Sequence, residues 1–188
     1  MITLLEYINY YVPLGPEENQ AIQNTFKTKV YPKGHILVNE GEVCQKMYFI
    51  LKGTSRTFHD HTKKEVTTWI YPESHFITSW SSFILEQPSS ESIQVLEKDS
   101  ELAYITKAGL MQLYDQYHKI ERFGRMLAEE QLAAIDDYSR GFALLSAKEK
   151  YESLLSFFPD VTQRVNLGYI ASMLGITQET LSRIRKSS

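Results

Sequence analysis

The sequence predicts an α+β chain in which an N-terminal β jelly roll leads through a long helix to a C-terminal helix-turn-helix. Three observations carry that reading. From about residue 28 to 106, short runs rich in β-branched and aromatic residues alternate with turn signals. Beyond residue 106 the strand pattern stops, and residues 119–145 run without a proline. Near the end, "YIASMLGITQETLSRIRK" (residues 169–186) sets Gly175 between two short helical patterns.

Residues 1 to about 27 read as helical. In "GPEENQAIQNTF", Pro16 and two acids mark a helix start, and Ala21, Ile22 and Phe26 give an apolar side. The strand runs come next: "HILVN", "KMYFIL", "TSRTFH", "EVTTWIY", "ESIQVLE" and "ELAYIT". Gly34, Gly41 and Gly53 fall between such runs, at turns where a positive φ is useful. Many short strands with even turn spacing point to a jelly roll. "AGLMQLYDQY" is one helical segment, and the long helix comes after it. Along it Ile120, Gly124, Leu127, Gln131, Ala134 and Tyr138 repeat at four-and-three spacing, which fits a dimer seam. A helix lying on its own β-domain would carry the same stripe. "SAKEKYESLLSFFP" then has Ser146 and Glu149 at capping-box spacing and Pro159 as a stop. These textures divide the chain into a jelly-roll sensor domain with N-terminal helices (1–116), a connecting helix (117–145) and a helix-turn-helix domain (146–188).

Composition narrows the functions open to such a chain. With 188 residues, 43% hydrophobic and 23% charged, it has the make-up of an ordinary globular protein of one large domain or two small ones. The longest apolar runs, such as "MYFIL", are too short to span a bilayer, so no membrane partner is expected. The N-terminus carries Glu6 and no basic leader, and the expected location is the cytoplasm. Cys44 is the single cysteine, which excludes an internal disulfide and a cysteine-held zinc or iron–sulfur site. Net charge is −3, yet residues 161–188 hold Arg164, Arg183, Arg185 and Lys186 against Glu179 alone, a local +3. A basic tip on an acidic body suits phosphate contact at one end.

In residues 169–186 the apolar or small positions are Ile170, Ala171, Leu174, Ile176, Leu181 and Ile184. Ala171 allows close approach of the second helix, Gly175 lets the chain turn, and Thr177 can cap that second helix. Such a pair places its second helix in a DNA major groove. Gln178, Glu179, Ser182 and Arg183 then face base edges: glutamine suits adenine, glutamate the cytosine amino group, arginine guanine. Thr177, Thr180, Arg185 and Lys186, with Arg164 and Tyr169 upstream, are the candidates for phosphate contact. The competing reading is a helical hairpin with a solvated polar face, on a small-molecule-binding jelly roll whose C-terminal helices only mediate protein contacts.

The order of parts resembles the Crp–Fnr family of bacterial transcription regulators, relatives of catabolite activator protein. "PKGHILVNEGEVCQKMYFILKGTSR" (residues 32–56) and "YIASMLGITQETLSRIRK" carry the likeness, which covers nearly the whole chain. The resemblance implies a cyclic-nucleotide-binding-like jelly roll, a dimerisation helix and a winged-helix-like C-terminal domain. It also implies a homodimer on a two-fold symmetric duplex site, RNA polymerase as a partner, and a small-molecule effector or none. That family usually reads R-E-T-[VL]-x-R where this chain has Gln178, Glu179, Thr180, Leu181, Ser182 and Arg183, so base preference changes at one position.

Cyclic-nucleotide binders of the family carry Phe-x-Gly-Glu, a short helix, then Arg-Ser/Thr-Ala. Here Phe76 remains, Thr78 and Ser79 replace Gly-Glu, and Ser90 and Glu91 replace the arginine and its neighbour. Losing the guanidinium and gaining a carboxylate predicts no useful affinity for cyclic AMP. Trp69, Tyr71, Phe76, Trp80 and Phe83 make this region aromatic, as either core or an effector pocket of Trp69, Phe76, Thr78, Ser79, Trp80, Ser90 and Glu91. "HDH" (residues 59–61) reads as a solvated hairpin tip and not a metal site. No phosphate-cradling glycine loop, nucleophile elbow or paired carboxylates suggest an enzyme, a cupin-like enzyme lacks its metal ligands, and no cofactor is expected.

Overall fold

The computed structural model describes residues 2–61, 64–141 and 144–187, and every count or absence below concerns these residues. Helix α1 (Leu4–Tyr11) starts at a capping box: Glu6 N donates to Thr3 Oγ1 at 3.2 Å and Thr3 N to Glu6 Oε2 at 2.7 Å. Helix α2 (Pro16–Thr25) has its proline at the start, where a missing N–H costs nothing.

Eight strands come after them: β1 (Lys27–Tyr31), β2 (Ile36–Val38), β3 (Lys46–Lys52), β4 (Ser55–His61), β5 (Lys64–Tyr71), β6 (Phe76–Ile77), β7 (Ser92–Val95) and β8 (Ser100–Thr106). Two antiparallel four-stranded sheets result, ordered β1-β8-β3-β6 and β2-β7-β4-β5. The turn into β4 depends on Gly53, with φ of +99°, where any Cβ would run into the Ser100 side chain. The "HDH" run predicted as a hairpin tip is instead the end of β4, with His59, Asp60 and His61 paired to Val66, Glu65 and Lys64, because the strand pairing continues further than the turn residues suggest; residues 62–63 are outside the described set. Between β6 and β7 runs the short helix α3 (Trp80–Leu85).

Helices α4 (Lys107–Gln116) and α5 (His118–Gly141) succeed the strands. The end of the predicted long helix includes residues 142–143, also outside the described set. The first half of the predicted dimer seam needs correction. Ile120 and Leu127 are 3% and 6% exposed, buried in the jelly-roll core with Phe123. A Cβ on Gly124 would meet the Tyr114 ring, and Gln131, Ala134 and Tyr138 line a cavity against the sheet. Ile120, Gly124 and Leu127 therefore face the protein's own body, because a single apolar stripe satisfies an intramolecular partner as well as a second chain, while Ala134 and Tyr138 are exposed. The adjoining face, with Ala128, Leu132 and Ile135, is exposed.

The C-terminal unit is all helical: α6 (Ala147–Phe157), α7 (Val161–Arg164), α8 (Leu167–Leu174) and α9 (Gln178–Ser187). Its α6 starts at a capping box, Glu149 N to Ser146 Oγ at 3.3 Å and Ser146 N to Glu149 Oε2 at 2.8 Å. Tyr151, Leu154, Phe158, Val161 and Val165 form its core together with Ile70 and Leu96 of the jelly roll, so the unit is docked on the sheet. No helix is long and apolar enough to cross a membrane.

Candidate nucleic-acid interface

Helix α8 begins at Asn166, whose Oδ1 accepts from Gly168 N at 2.7 Å. It stops at Gly175, where φ is +69° and two backbone bonds close the turn: Gly175 N to Ser172 O at 3.1 Å and Ile176 N to Ala171 O at 3.0 Å. This pair of bonds satisfies carbonyls that a helix end leaves open, and the left-handed residue between them suits glycine. Thr177 then caps α9, its Oγ1 accepting from Thr180 N at 3.2 Å. Ile170, Ala171, Leu174 and Leu181 are all buried between the two helices and α6.

Burying Leu181 on one side turns the other side of α9 outward. Gln178, Glu179, Ser182 and Arg183 are all exposed there, as are Arg185 and Lys186 in the last turn. The Glu179 carboxyl is held below the usual carboxylate range by its own backbone N–H and by the Thr177 hydroxyl, with Arg183 adding attraction. Arg183 Nη2 donates to Thr180 Oγ1 at 3.2 Å. The row is charged, polar and free of the sheet, as a helix entering a groove must be.

Two predicted phosphate contacts sit elsewhere. Arg164 is clasped by the jelly roll: Nη1 to Glu73 Oε2 at 2.9 Å, Nη2 to Glu73 Oε1 at 2.5 Å, and Nε to Glu97 Oε1 at 3.0 Å. Burial pushes the Glu73 carboxyl up, but the guanidinium and backbone N–H groups outweigh it and hold the group below its usual range. Tyr169 lies face to face with the guanidinium of Arg56, 3.7 Å from ring centroid to Cζ. Arg56 is itself 1% exposed and bonds Gln94, Thr67 and Glu65. Thr67 N also donates to Ser172 Oγ at 3.0 Å. Arg164 and Tyr169 thus hold the C-terminal unit to the sheet instead of meeting phosphate, since two carboxylates and a buried cation supply nearer partners.

The region of the lost cassette is filled by hydroxyls. Thr78 Oγ1 donates to Lys46 O at 3.0 Å, Cys44 N to Ser82 Oγ at 2.8 Å, and Ser89 Oγ to Ser79 Oγ at 2.8 Å. Thr78 and Ser79 are buried, and Trp80 packs on the core. A cavity of about 630 Å³ lies nearby, and of the predicted pocket only Trp69, Phe76 and Glu91 line it. Its other walls come from Tyr7 and Tyr11 of α1, Tyr138 of α5 and Phe157 of α6, which no local sequence signal groups together. No set of three or more metal-ligating side chains converges anywhere among the described residues.

Residues 28–117 match the family described as cyclic nucleotide-binding domain. Among solved structures the chain is similar to the catabolite activator protein of Thermus thermophilus, with a TM-score of 0.58 at 19% identity over 96% of this chain and 85% of that one. It is similar to a protein of Eubacterium rectale assigned to the Crp/Fnr family of transcriptional regulators, with a TM-score of 0.70 at 17% identity over 96% and 86% of the two chains. FixK2 of Bradyrhizobium japonicum gives a TM-score of 0.68 at 15% identity over 87% and 84%. No curated protein matches the chain in sequence. The likeness is one of fold: the order of jelly roll, long helix and C-terminal helical unit expected from the sequence is shared with these structures.

Proposed function

We propose that the chain is a sequence-specific DNA-binding regulator of transcription, acting as a homodimer on a two-fold symmetric site and indifferent to cyclic AMP. The observation that carries this reading is the outward row Gln178, Glu179, Ser182 and Arg183 on a capped helix whose opposite side is anchored by buried Leu181. These side chains offer adenine, cytosine and guanine partners at the spacing of a major groove, and Thr177, Thr180, Arg185 and Lys186 flank them for phosphate. The solved structures of similar fold include a catabolite activator protein and a Crp/Fnr regulator, which supports it. RNA polymerase is the partner through which such a regulator would act.

A second copy supplies the partner for the exposed stripe of α5, where Leu132 and Ile135 are 68% and 59% exposed. Indifference to cyclic AMP rests on charge. No lysine or arginine lines the cavity, while Glu91 and Glu130 do, so a cyclic phosphate would lose its water without gaining a cation.

Selection of duplexes from a randomised pool at about 0.1 M salt, where nonspecific phosphate attraction is partly screened, tests the reading. The expected product is an inverted repeat with half-site centres about one helical turn apart. Recovery of unrelated sequences, with affinity that ignores salt, would remove the DNA assignment. A shift in Tm with millimolar cyclic AMP would overturn the indifference.

A further inference from the structure

The cavity of about 630 Å³ lies where α1, the β4–β5 face, α5 and α6 meet. Aromatic rings dominate its walls, among them Tyr7, Tyr11, Trp69, Tyr71, Tyr138 and Phe157. Trp69 is central, with Tyr138 edge-on at 5.5 Å and Phe157 tilted at 6.2 Å between centroids. Two carboxylates share the wall. Tyr11 Oη lies 3.2 and 3.1 Å from the two oxygens of Glu130, while the Glu91 carboxylate has no hydrogen-bond or ion-pair partner among the described residues. We propose that this cavity binds a small organic cation, a substituted ammonium on an apolar or aromatic body, with its charge toward Glu91 and its body against the rings.

The faces of aromatic rings carry negative potential and attract a cation over them, most strongly where water is excluded. Pockets for small molecules combine mostly apolar walls with a few converging polar groups, and a volume of this size accommodates a whole metabolite. Burial pushes the Glu91 carboxyl above its usual range, with the His59 side chain acting against the shift. An ammonium group would supply the missing counter-charge, whereas an anion would meet two carboxylates. The walls come from the sensor sheet, from α5 and from α6 of the C-terminal unit, so an occupant touches both parts of the molecule. The inference stands on the cavity alone and does not rest on the DNA reading.

The test is a fluorescence titration of the full chain without DNA, using Trp69 on the cavity wall as reporter. Three probes of similar size are benzyltrimethylammonium, its uncharged carbon analogue neopentylbenzene, and the anion benzenesulfonate. The cation should bind saturably and at least about tenfold tighter than the uncharged analogue, with the anion giving no saturable change. Glu91→Gln should remove most of that preference and leave the uncharged analogue's affinity where it was. Equal affinity for cation and uncharged analogue, tighter binding of the anion, or no saturable cation binding at millimolar concentration would each overturn the proposal. So would an unchanged preference in a folded Glu91→Gln protein. The comparison of probes on the native chain decides the matter even if that variant does not fold.

Discussion

Arg183 and Lys186 are both exposed cations on α9, and their positions assign them different jobs. Arg183 stands beside Gln178 and Glu179 on the outward row, so Arg183→Ala should cost about 1–3 kcal/mol on the selected site and relax preference at one base position. Lys186 sits in the last turn, and Lys186→Ala should weaken all duplexes alike while lowering the salt slope by about 1. Binding isotherms on matched and single-mismatch duplexes at several salt concentrations separate the two outcomes. Arg164 shows what sequence could not settle at this scale. Its charge was legible, but its partners Glu73 and Glu97 lie far away in the chain, and spacing does not reveal which anion a cation will meet. Glu91 leads to a pH-dependent expectation. Its folded value is raised above the ordinary 4.5, so the stability its neutral form contributes is present below about 4.5 and lost as pH rises through the folded value. His59 opposes that shift, while Glu130 on the facing wall and Tyr71 beside it offer no positive charge. His75, also on the wall, has its Nδ1 2.8 Å from the Glu73 carbonyl oxygen. Glu91→Gln should therefore raise Tm at pH 7, with no gain near pH 4. Equal melting of both proteins at pH 7 in scanning calorimetry would contradict this.

Strands, turns and caps were readable because each depends on neighbours in sequence. The run "KMYFIL" is buried along most of its length in β3, the Ser146–Glu149 box forms both its bonds, and Gly175 closes α8. The face that α5 presents to its surroundings was not readable in this way. Its four-and-three stripe was visible, yet periodicity reports an apolar face and not what covers it. Gly124 distinguishes the two possibilities. At an open seam, Gly124→Ala should stabilise the helix by about 1 kcal/mol through restricted backbone freedom. Against Tyr114 the new methyl has no room, and burial of that ring, which pushes its hydroxyl up to about 12, leaves it little freedom to swing aside. Overpacking of this kind costs about 1–3 kcal/mol, so the net effect should be a loss of stability, read as a lower denaturation midpoint with an unchanged slope. The cavity was the least legible feature. Its walls are drawn from α1, β4, β5, β6, α5, α6 and the stretch around Glu91, and only folding brings those segments together.

On the scale of the whole molecule, the C-terminal unit that carries α9 is held to the jelly-roll sheet. Arg164 reaches Glu73 and Glu97, Ser172 accepts from Thr67, and Tyr169 covers buried Arg56. A single docked head can read one half-site, and a two-fold site needs a second head at a set distance. The stripe Ala128, Leu132 and Ile135 on α5 is the surface proposed for a second copy, since Ile120, Phe123 and Leu127 are buried in their own domain. Leu132→Lys tests this with little risk to the fold, because a side chain 68% exposed contributes little to the monomer. Tm at low concentration should stay nearly unchanged, while sedimentation velocity should show a monomer where the native chain is expected to give a dimer. Affinity for the full inverted repeat should fall to that for a single half-site, since joining two heads converts the second contact into an intramolecular one. A Leu132→Lys protein that still sediments as a dimer would place the seam elsewhere. One that sediments as a monomer yet binds the full repeat as tightly as before would show that the two heads are not joined through α5.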